Sequence, residues 1–175
     1  MFEVRVATVE DARAIARVHV ESWRTTYAGL LPESYLEALT VEEKATFWRA
    51  VIADRCETAL FVAVETDGEV IGFASGGLDR EDNRPDSAEL YTIYLFADRQ
   101  RQGAGRALFV ALARELIDRG YQRLRLWVVA ANADARRFYR GLGGVTVGQK
   151  VMTLAGVDLD KIAYRWDDLG RFRDE

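Results

Sequence analysis

Glu89-Leu90-Tyr91-Thr92-Ile93-Tyr94-Leu95-Phe96, followed at once by Ala97-Asp98-Arg99-Gln100-Arg101-Gln102-Gly103-Ala104-Gly105-Arg106-Ala107-Leu108, is the stretch on which the fold turns. Its first half alternates and is rich in β-branched and aromatic residues, which predicts a strand. In its second half Gly103 and Gly105 let successive backbone N–H groups turn toward one point at the start of a helix. That helix is marked by Leu108, Leu112 and Leu116 with Phe109, Ala113 and Ile117, a wide apolar stripe. Arg114, Glu115, Asp118 and Arg119 take the wet face, and Gly120 supplies the stop. Arg123 to Val129 reads as the next strand. Strand, glycine turn, helix and strand make a right-handed crossover, so these two strands should be parallel.

Upstream, Leu60 to Glu65 and Val70 to Leu78 flank Thr66-Asp67-Gly68 and read as a hairpin, with Asp79 to Asp86 a polar loop behind it. Phe2 to Ala7 alternates as a short strand. Thr8 and Asp11 resemble a capping box for a helix running to about Tyr27, with Ile15, Val18, Ser22 and Trp23 on one face. Pro32 to Leu36 and Glu42 to Ala53 have helical spacing. Downstream, Asn132 caps a short helix ending near Gly143-Gly144, and Val145 to Leu154 with Leu159 to Trp166 form a closing pair of strands around Gly156. Hairpins around a parallel crossover make a mixed sheet. The expected fold class is α/β (mixed α+β): residues 1–175 as a single domain, with one central, largely antiparallel β-sheet flanked by helices.

Composition narrows what such a domain does. With 175 residues, 49% of them hydrophobic, there is material for one well-buried core. The longest apolar stretches, such as Ala59 to Val64 and Leu126 to Ala131, fall far short of the ~20 residues a membrane helix needs. Met1-Phe2-Glu3-Val4-Arg5 lacks a signal-peptide pattern, so the expected location is the cytoplasm. Cys56 has no second cysteine to pair with, and His19, the single histidine, leaves no ligand set for a structural metal. Lys and Arg number 24 against 28 Asp and Glu, a net charge of −4, which disfavours nucleic acid and anionic membrane as partners. An anionic ligand must therefore be held locally.

The glycine turn is the place to hold one, because N–H groups at a helix start suit phosphate. Alone, such a turn serves as often to tighten a loop. A phosphate-binding P-loop would need Gly-Lys-Ser/Thr, and the dinucleotide fingerprint would need a third glycine where Leu108 stands; neither is met.

Gln100-Arg101-Gln102-Gly103-Ala104-Gly105 resembles the Gln/Arg-x-x-Gly-x-Gly/Ala motif of the GNAT superfamily of acyl-CoA-dependent N-acyltransferases. Asn132-x-x-Ala135-x-x-Phe138-Tyr139-x-x-Leu142-Gly143 is similar to that family's second motif, and the order of elements from Val4 to Trp166 is also the family's. Two positions depart from it: Ala97 stands where many members have proline, and Gly144 where an aromatic usually follows Leu-Gly.

The resemblance implies acetyl-CoA as cofactor. The backbone around Ile93, Tyr94 and Leu95 would pair with the pantetheine arm, and Gln100, Arg101, Gln102, Gly103, Ala104, Gly105 and Arg106 would wrap the pyrophosphate. Asn132, two helical turns before Tyr139, would hold the arm besides capping its helix. Tyr139 is the implied general acid at the thioester sulfur. A phenol near pKa ~10 is a poor proton donor to a thiolate near ~8.5, so hydrogen-bond stabilisation of the departing sulfur describes its role better. Glu89 is the candidate base for the incoming amine, beside the plainer reading of a strand-start carboxylate in water. Trp23, Tyr27 and Tyr91 are candidate walls of the acceptor pocket, suited to an apolar or cationic amine, or simply core aromatics. His19 reads as a packed, hydrogen-bonded residue. The expected activity is direct acetyl transfer to a small amine, amino acid, antibiotic or protein N-terminus. The competing reading is a non-catalytic acyl-CoA sensor, whose signature would be the same turn without Tyr139. Homodimerisation through the C-terminal strands is a further expectation.

Overall fold

The computed structural model describes residues 1–54, 57–82 and 84–174, so Cys56 lies outside the described residues. Its seven strands are β1 (Phe2–Val6), β2 (Thr58–Glu65), β3 (Val70–Leu78), β4 (Ser87–Leu95), β5 (Arg123–Val129), β6 (Val145–Leu154) and β7 (Val157–Trp166). They lie in the order β1-β2-β3-β4-β5-β7-β6. Only β4 and β5 are parallel, as the glycine turn and its helix require. The helices are α1 (Ala12–Thr26), α2 (Glu33–Glu37), α3 (Val41–Ala53), α4 (Ala104–Asp118) and α5 (Ala133–Gly141).

Local chemistry accounts for the boundaries. Asp11 accepts the Thr8 N–H at 2.8 Å ahead of α1, and the Thr40 hydroxyl accepts from the Glu43 N–H at 3.3 Å to start α3. Strand β7 begins two residues earlier than its sequence suggests. Ala155 and Gly156 both take positive φ, 51° and 77°, and turn the chain so tightly that Val157 already pairs with Leu154.

The sheet is covered on both faces, and two consecutive residues of β4 show how. The Tyr94 ring lies 5.6 Å from that of His19 on α1, whereas Leu95 points the other way, against Gly105 of α4. On the α4 side, Leu108, Phe109, Leu112, Ala113 and Leu116 are all fully buried. Each Leu or Phe side chain so buried is worth about 1.5–3 kcal/mol, which makes this stripe the main anchor of the crossover. On the other side, α1 and α3 clasp Phe73 through His19 and Trp48.

His19 is a packed residue, not one open to solvent. Its Nδ1 accepts from the Trp48 indole at 3.1 Å, and the rings of Trp23, Trp48, Phe73 and Tyr94 surround it. Burial, with Lys44 adding repulsion, holds its pKa down to about 4 from 6.5. A histidine that folds neutral stabilises the protein fully above its unfolded pKa, and this contribution disappears as pH falls from 6.5 toward about 4. The shift corresponds to about 3 kcal/mol at most. Urea denaturation at pH 6.5 and pH 4.5 is expected to show a loss of stability that His19→Asn reduces. An equal loss in the variant would contradict this account.

Candidate active site

The site begins where the parallel pairing stops. Strands β4 and β5 are in register only at Ser87, Ala88 and Glu89, opposite Arg123, Leu124 and Arg125. Beyond Arg125, β5 follows β7, and β4 stays with β3. A bulge sits at the point of divergence: Thr92 pairs with Ser75 and Leu90 with Gly76, leaving Tyr91 as the extra residue. Bulges bend a strand and sharpen its twist, which opens the sheet here. Gly76 permits the close crossing, since a Cβ there would stand 2.7 Å from Glu89 O.

The open edge of β4 is a row of backbone groups. The Phe96 N–H donates to Ile71 O at 3.1 Å, toward β3, so by strand alternation the polar groups of Leu95 and Ile93 face the gap. Leu95 O is met there by the Ser22 hydroxyl at 3.0 Å and the Gln100 amide at 3.5 Å. What remains on offer is the Leu95 N–H with both polar groups of Ile93.

At the mouth of the gap lies the glycine turn. Arg101 and Gly103 both take positive φ, 59° and 90°, which folds the segment back before α4. Gln100 N–H is bound to Ala97 O, and Ala107 N–H to Gly103 O in the first turn of α4. The backbone N–H groups of the helix start lie between these two and cannot be satisfied within the helix. Gln100, Arg101, Gln102, Gly103 and Arg106 are exposed at this mouth, and Ala104 is buried beneath it. On the other lip, the Asn132 side chain accepts the Ala135 N–H at 3.0 Å and so caps α5.

Inside the gap, tyrosines from both faces of the sheet meet. Tyr139 comes from α5, packed against Tyr164 and Trp166, while Tyr27 comes from the end of α1 and Tyr94 from β4. Burial pushes the Tyr139 phenol well above its ordinary value, and the nearby Tyr27 adds to this. Burial likewise raises Tyr94 strongly, with Tyr27 again the neighbour. An intact sheet would keep these groups apart; the missing β4–β5 pairing lets them share one space. The Trp23 ring lies 4.8 Å from that of Tyr27, and its indole N–H is buried without an acceptor among the described residues.

Glu89 stands at the apex, on the last paired rung. Burial raises its pKa first and the charge of Asp79 second, so it is a carboxyl held less acidic than usual. Around it, Arg125 makes a forked pair with Asp79, Nε to Oδ2 at 2.8 Å, and reaches Glu81 at 3.1 Å. Burial alone would raise Asp79, yet the Arg125 guanidinium and two backbone N–H donors hold it below the usual carboxylate range. Tyr91 is drawn aside to this rim: its hydroxyl donates to Leu78 O at 2.7 Å and the Arg80 guanidinium lies 4.2 Å above its ring.

The gap thus combines strand-edge amides of Ile93 and Leu95, a phosphate-suited turn after β4 and a group of buried phenols, with the half-buried Glu89 on the last paired rung. The sequence pattern of the Acetyltransferase (GNAT) family matches residues 18–143, which run from within α1 through the turn to the end of α5. The chain belongs to the GNAT acetyltransferases. It is 39% identical over 173 residues to an uncharacterised N-acetyltransferase, YuaI, of Bacillus subtilis (strain 168), covering 99% of this chain and 97% of that protein. It is 26% identical over 140 residues to the spermidine N(1)-acetyltransferase of Thermoplasma acidophilum, covering 78% of this chain and 84% of that one. Among solved structures, a PaiA N-acetyltransferase of Thermoplasma acidophilum in complex with coenzyme A superposes with a TM-score of 0.71 at 24% identity, over 95% of this chain and 99% of that one. At that identity the likeness speaks to the GNAT fold.

Sequence reading singled out the glycine turn, Glu89 and the α5 motif; in the structure Trp23, Tyr27, Tyr94 and Tyr139 lie near one another, and Glu89 stands on the last rung of the β4–β5 pairing. It did not find the bulge at Tyr91, the forked Asp79–Arg125 pair, or Lys161 on β7. One signal for Lys161 was present: in Leu159-x-Lys161-x-Ala163 a lysine interrupts an otherwise apolar alternation. The departure at Gly144 has a structural reason. The Trp166 indole lies so close that a Cβ at 144 would stand 2.6 Å from it, and its N–H donates to Leu142 O at 2.9 Å. Trp166 thus fills the space beside the Leu-Gly corner.

Proposed function

We propose that this GNAT acetyltransferase moves the acetyl group of acetyl-CoA directly to a primary amine held on the α1 side of the β4–β5 opening. The observation that carries the reading is the opening itself: the β4–β5 pairing ends at Glu89, whose carboxyl is partly buried, and the buried Tyr139 phenol lies near Tyr27 and Tyr94. The groove's chemistry fits the donor. Outward amides of Ile93 and Leu95 match a peptide-like pantetheine arm, and the N–H groups of Gln100 to Arg106 match a diphosphate. Tyr94 lines the arm's path and Asn132 holds the lip opposite it. Acetyl-CoA supplies an activated thioester.

The chain's own residues then manage two protons. Tyr139, kept neutral by burial, offers its O–H as a hydrogen bond to the departing sulfur. Glu89, directly or through water, takes the proton of the acceptor ammonium and leaves a neutral amine able to attack. Trp23, Tyr27 and Tyr91 wall the acceptor's approach. No cysteine belongs to the turn or to the α5 motif, which favours direct transfer over a covalent carrier.

Initial rates of thiol release at varied acetyl-CoA and amine are expected to give intersecting double-reciprocal lines, the mark of a ternary complex. Parallel lines would show a covalent intermediate and contradict direct transfer. We place the enzyme in the cytoplasm, where its donor is made; among the described residues no helix is long and apolar enough to cross a membrane. Strand β6 is an edge with Val145, Val147 and Val151 exposed, and we propose it as the homodimer contact.

A further inference from the structure

Lys161 on β7 occupies a costly position for which the fold supplies no reason. It shares its face of the sheet with Val129 of β5, its direct neighbour, and with Lys150 of β6, directly opposite on the other side. Like charges in that relation repel. Lys150 is satisfied: it pairs with Glu81, and its ammonium lies 4.1 Å above the Trp127 ring. Lys161 is not satisfied. It is half-buried, its one close polar contact is the Met152 thioether at 3.8 Å, and no carboxylate lies within ion-pair distance among the described residues. A thioether is a weak acceptor, so a half-desolvated ammonium is left without a counter-charge.

Three further features place this ammonium at the acceptor side of the site. Glu89 and Glu81 both act on it electrostatically, so it lies within reach of the apex carboxylate's charge. Its burial and the nearby Lys150 disfavour its charge, which an anion arriving beside it would restore. Around it, Val129, Leu159 and Met152 join Trp23, Tyr27, Leu31 and Leu36 in a second apolar cluster, separate from the main core. Glu89 thus offers an acidic group, Lys161 a cationic one and the second cluster an apolar wall beside it. Residues 18–143, the part matched by the family pattern, stop short of β6 and β7, so Lys161 lies outside the matched pattern.

Building on the transferase reading above, we infer that the acceptor is an amino-acid-like zwitterion: its amine goes to Glu89, its carboxylate or equivalent anion pairs with Lys161, and its apolar side chain rests on the Val129–Leu159–Met152 wall. A polyamine fits this arrangement poorly, because its second cation would meet Lys161 and Lys150. In this respect the chain should differ from the spermidine acetyltransferase it resembles.

The test uses the full-length enzyme and its Lys161→Met variant, with thiol release measured at saturating acetyl-CoA. The acceptors are leucine, methionine and phenylalanine, each paired with the amine left when its carboxylate is removed, together with spermidine. Wild type is expected to prefer each amino acid over its decarboxylated partner, and Lys161→Met to lower kcat/KM for the amino acids by about 10- to 100-fold, the scale of one charge-assisted hydrogen bond. The same variant should leave the decarboxylated amines unchanged or faster, which a merely misfolded protein would not do. Equal or better rates with decarboxylated amines or spermidine in wild type overturn the inference, as does a preference that survives in Lys161→Met. Failure of every acceptor overturns it too, and calorimetric titration with acetyl-CoA then separates the two claims: if acetyl-CoA binds, only the zwitterion inference falls, and if it does not, the transferase reading falls with it.

Discussion

Tyr139→Phe is expected to lower kcat by about 10²- to 10³-fold while leaving the KM for acetyl-CoA within a few-fold, because it removes one hydrogen-bond donor that matters when charge develops on sulfur. The ring itself stays. Tyr139 is 7% exposed and packs against Phe138, Tyr164 and Trp166, contacts that phenylalanine keeps, so thermal unfolding should be little changed. The effect should also be insensitive to pH across the neutral range. Burial holds the phenol protonated there, so no titration of Tyr139 can appear as a basic limb near neutrality. A wild-type kcat retained by the variant would transfer the role to another donor, and Tyr27 or Tyr94 would then be next to test.

Glu89→Gln is the second large effect, about 10²- to 10⁴-fold in kcat/KM, the usual contribution of a positioned base. Its signature lies in the pH profile. Glu89 works ionised, and burial followed by the charge of Asp79 raises its pKa above the ordinary 4.5, so wild-type activity should climb with pH through an acid limb lying above that value. The variant should lack that limb. Stability should move the other way. For a group whose folded pKa is raised, the stabilising contribution is complete below the unfolded pKa and disappears as pH rises through the folded one. At pH 7 the ionised Glu89 is therefore a burden on the fold, and Glu89→Gln should unfold at the same or a higher temperature than wild type. A parallel loss of activity and thermal stability would mean that Glu89 serves the structure and not the proton transfer.

How far the sequence alone reaches can be judged from individual residues. The crossover was legible because Leu108, Leu112 and Leu116 repeat at helical spacing directly after a strand and two glycines, signals that depend only on neighbours in the chain. The hairpin at Asp67-Gly68 and the caps at Thr8 and Asn132 are of the same kind. The bulge at Tyr91 was not legible, because it exists only as a mismatch of register between β4 and Gly76 on β3. Nor was the approach of Tyr27, Tyr94 and Tyr139, which come from three separate elements and lie near enough to act on one another electrostatically. Lys161 gave a faint sign, a lysine within an apolar alternation. Its meaning depends on which carboxylates do not reach it, and that is a property of the assembled fold.

The groove between β4 and β5 as an acetyl-CoA site that serves an amine acceptor is tested most directly by titrating the wild-type protein with acetyl-CoA in a calorimeter and then following free thiol as amines are added to the same sample. The account predicts saturable binding, with thiol released only once an amine is present. Absence of binding, or thiol release that proceeds equally well with no amine, would contradict it.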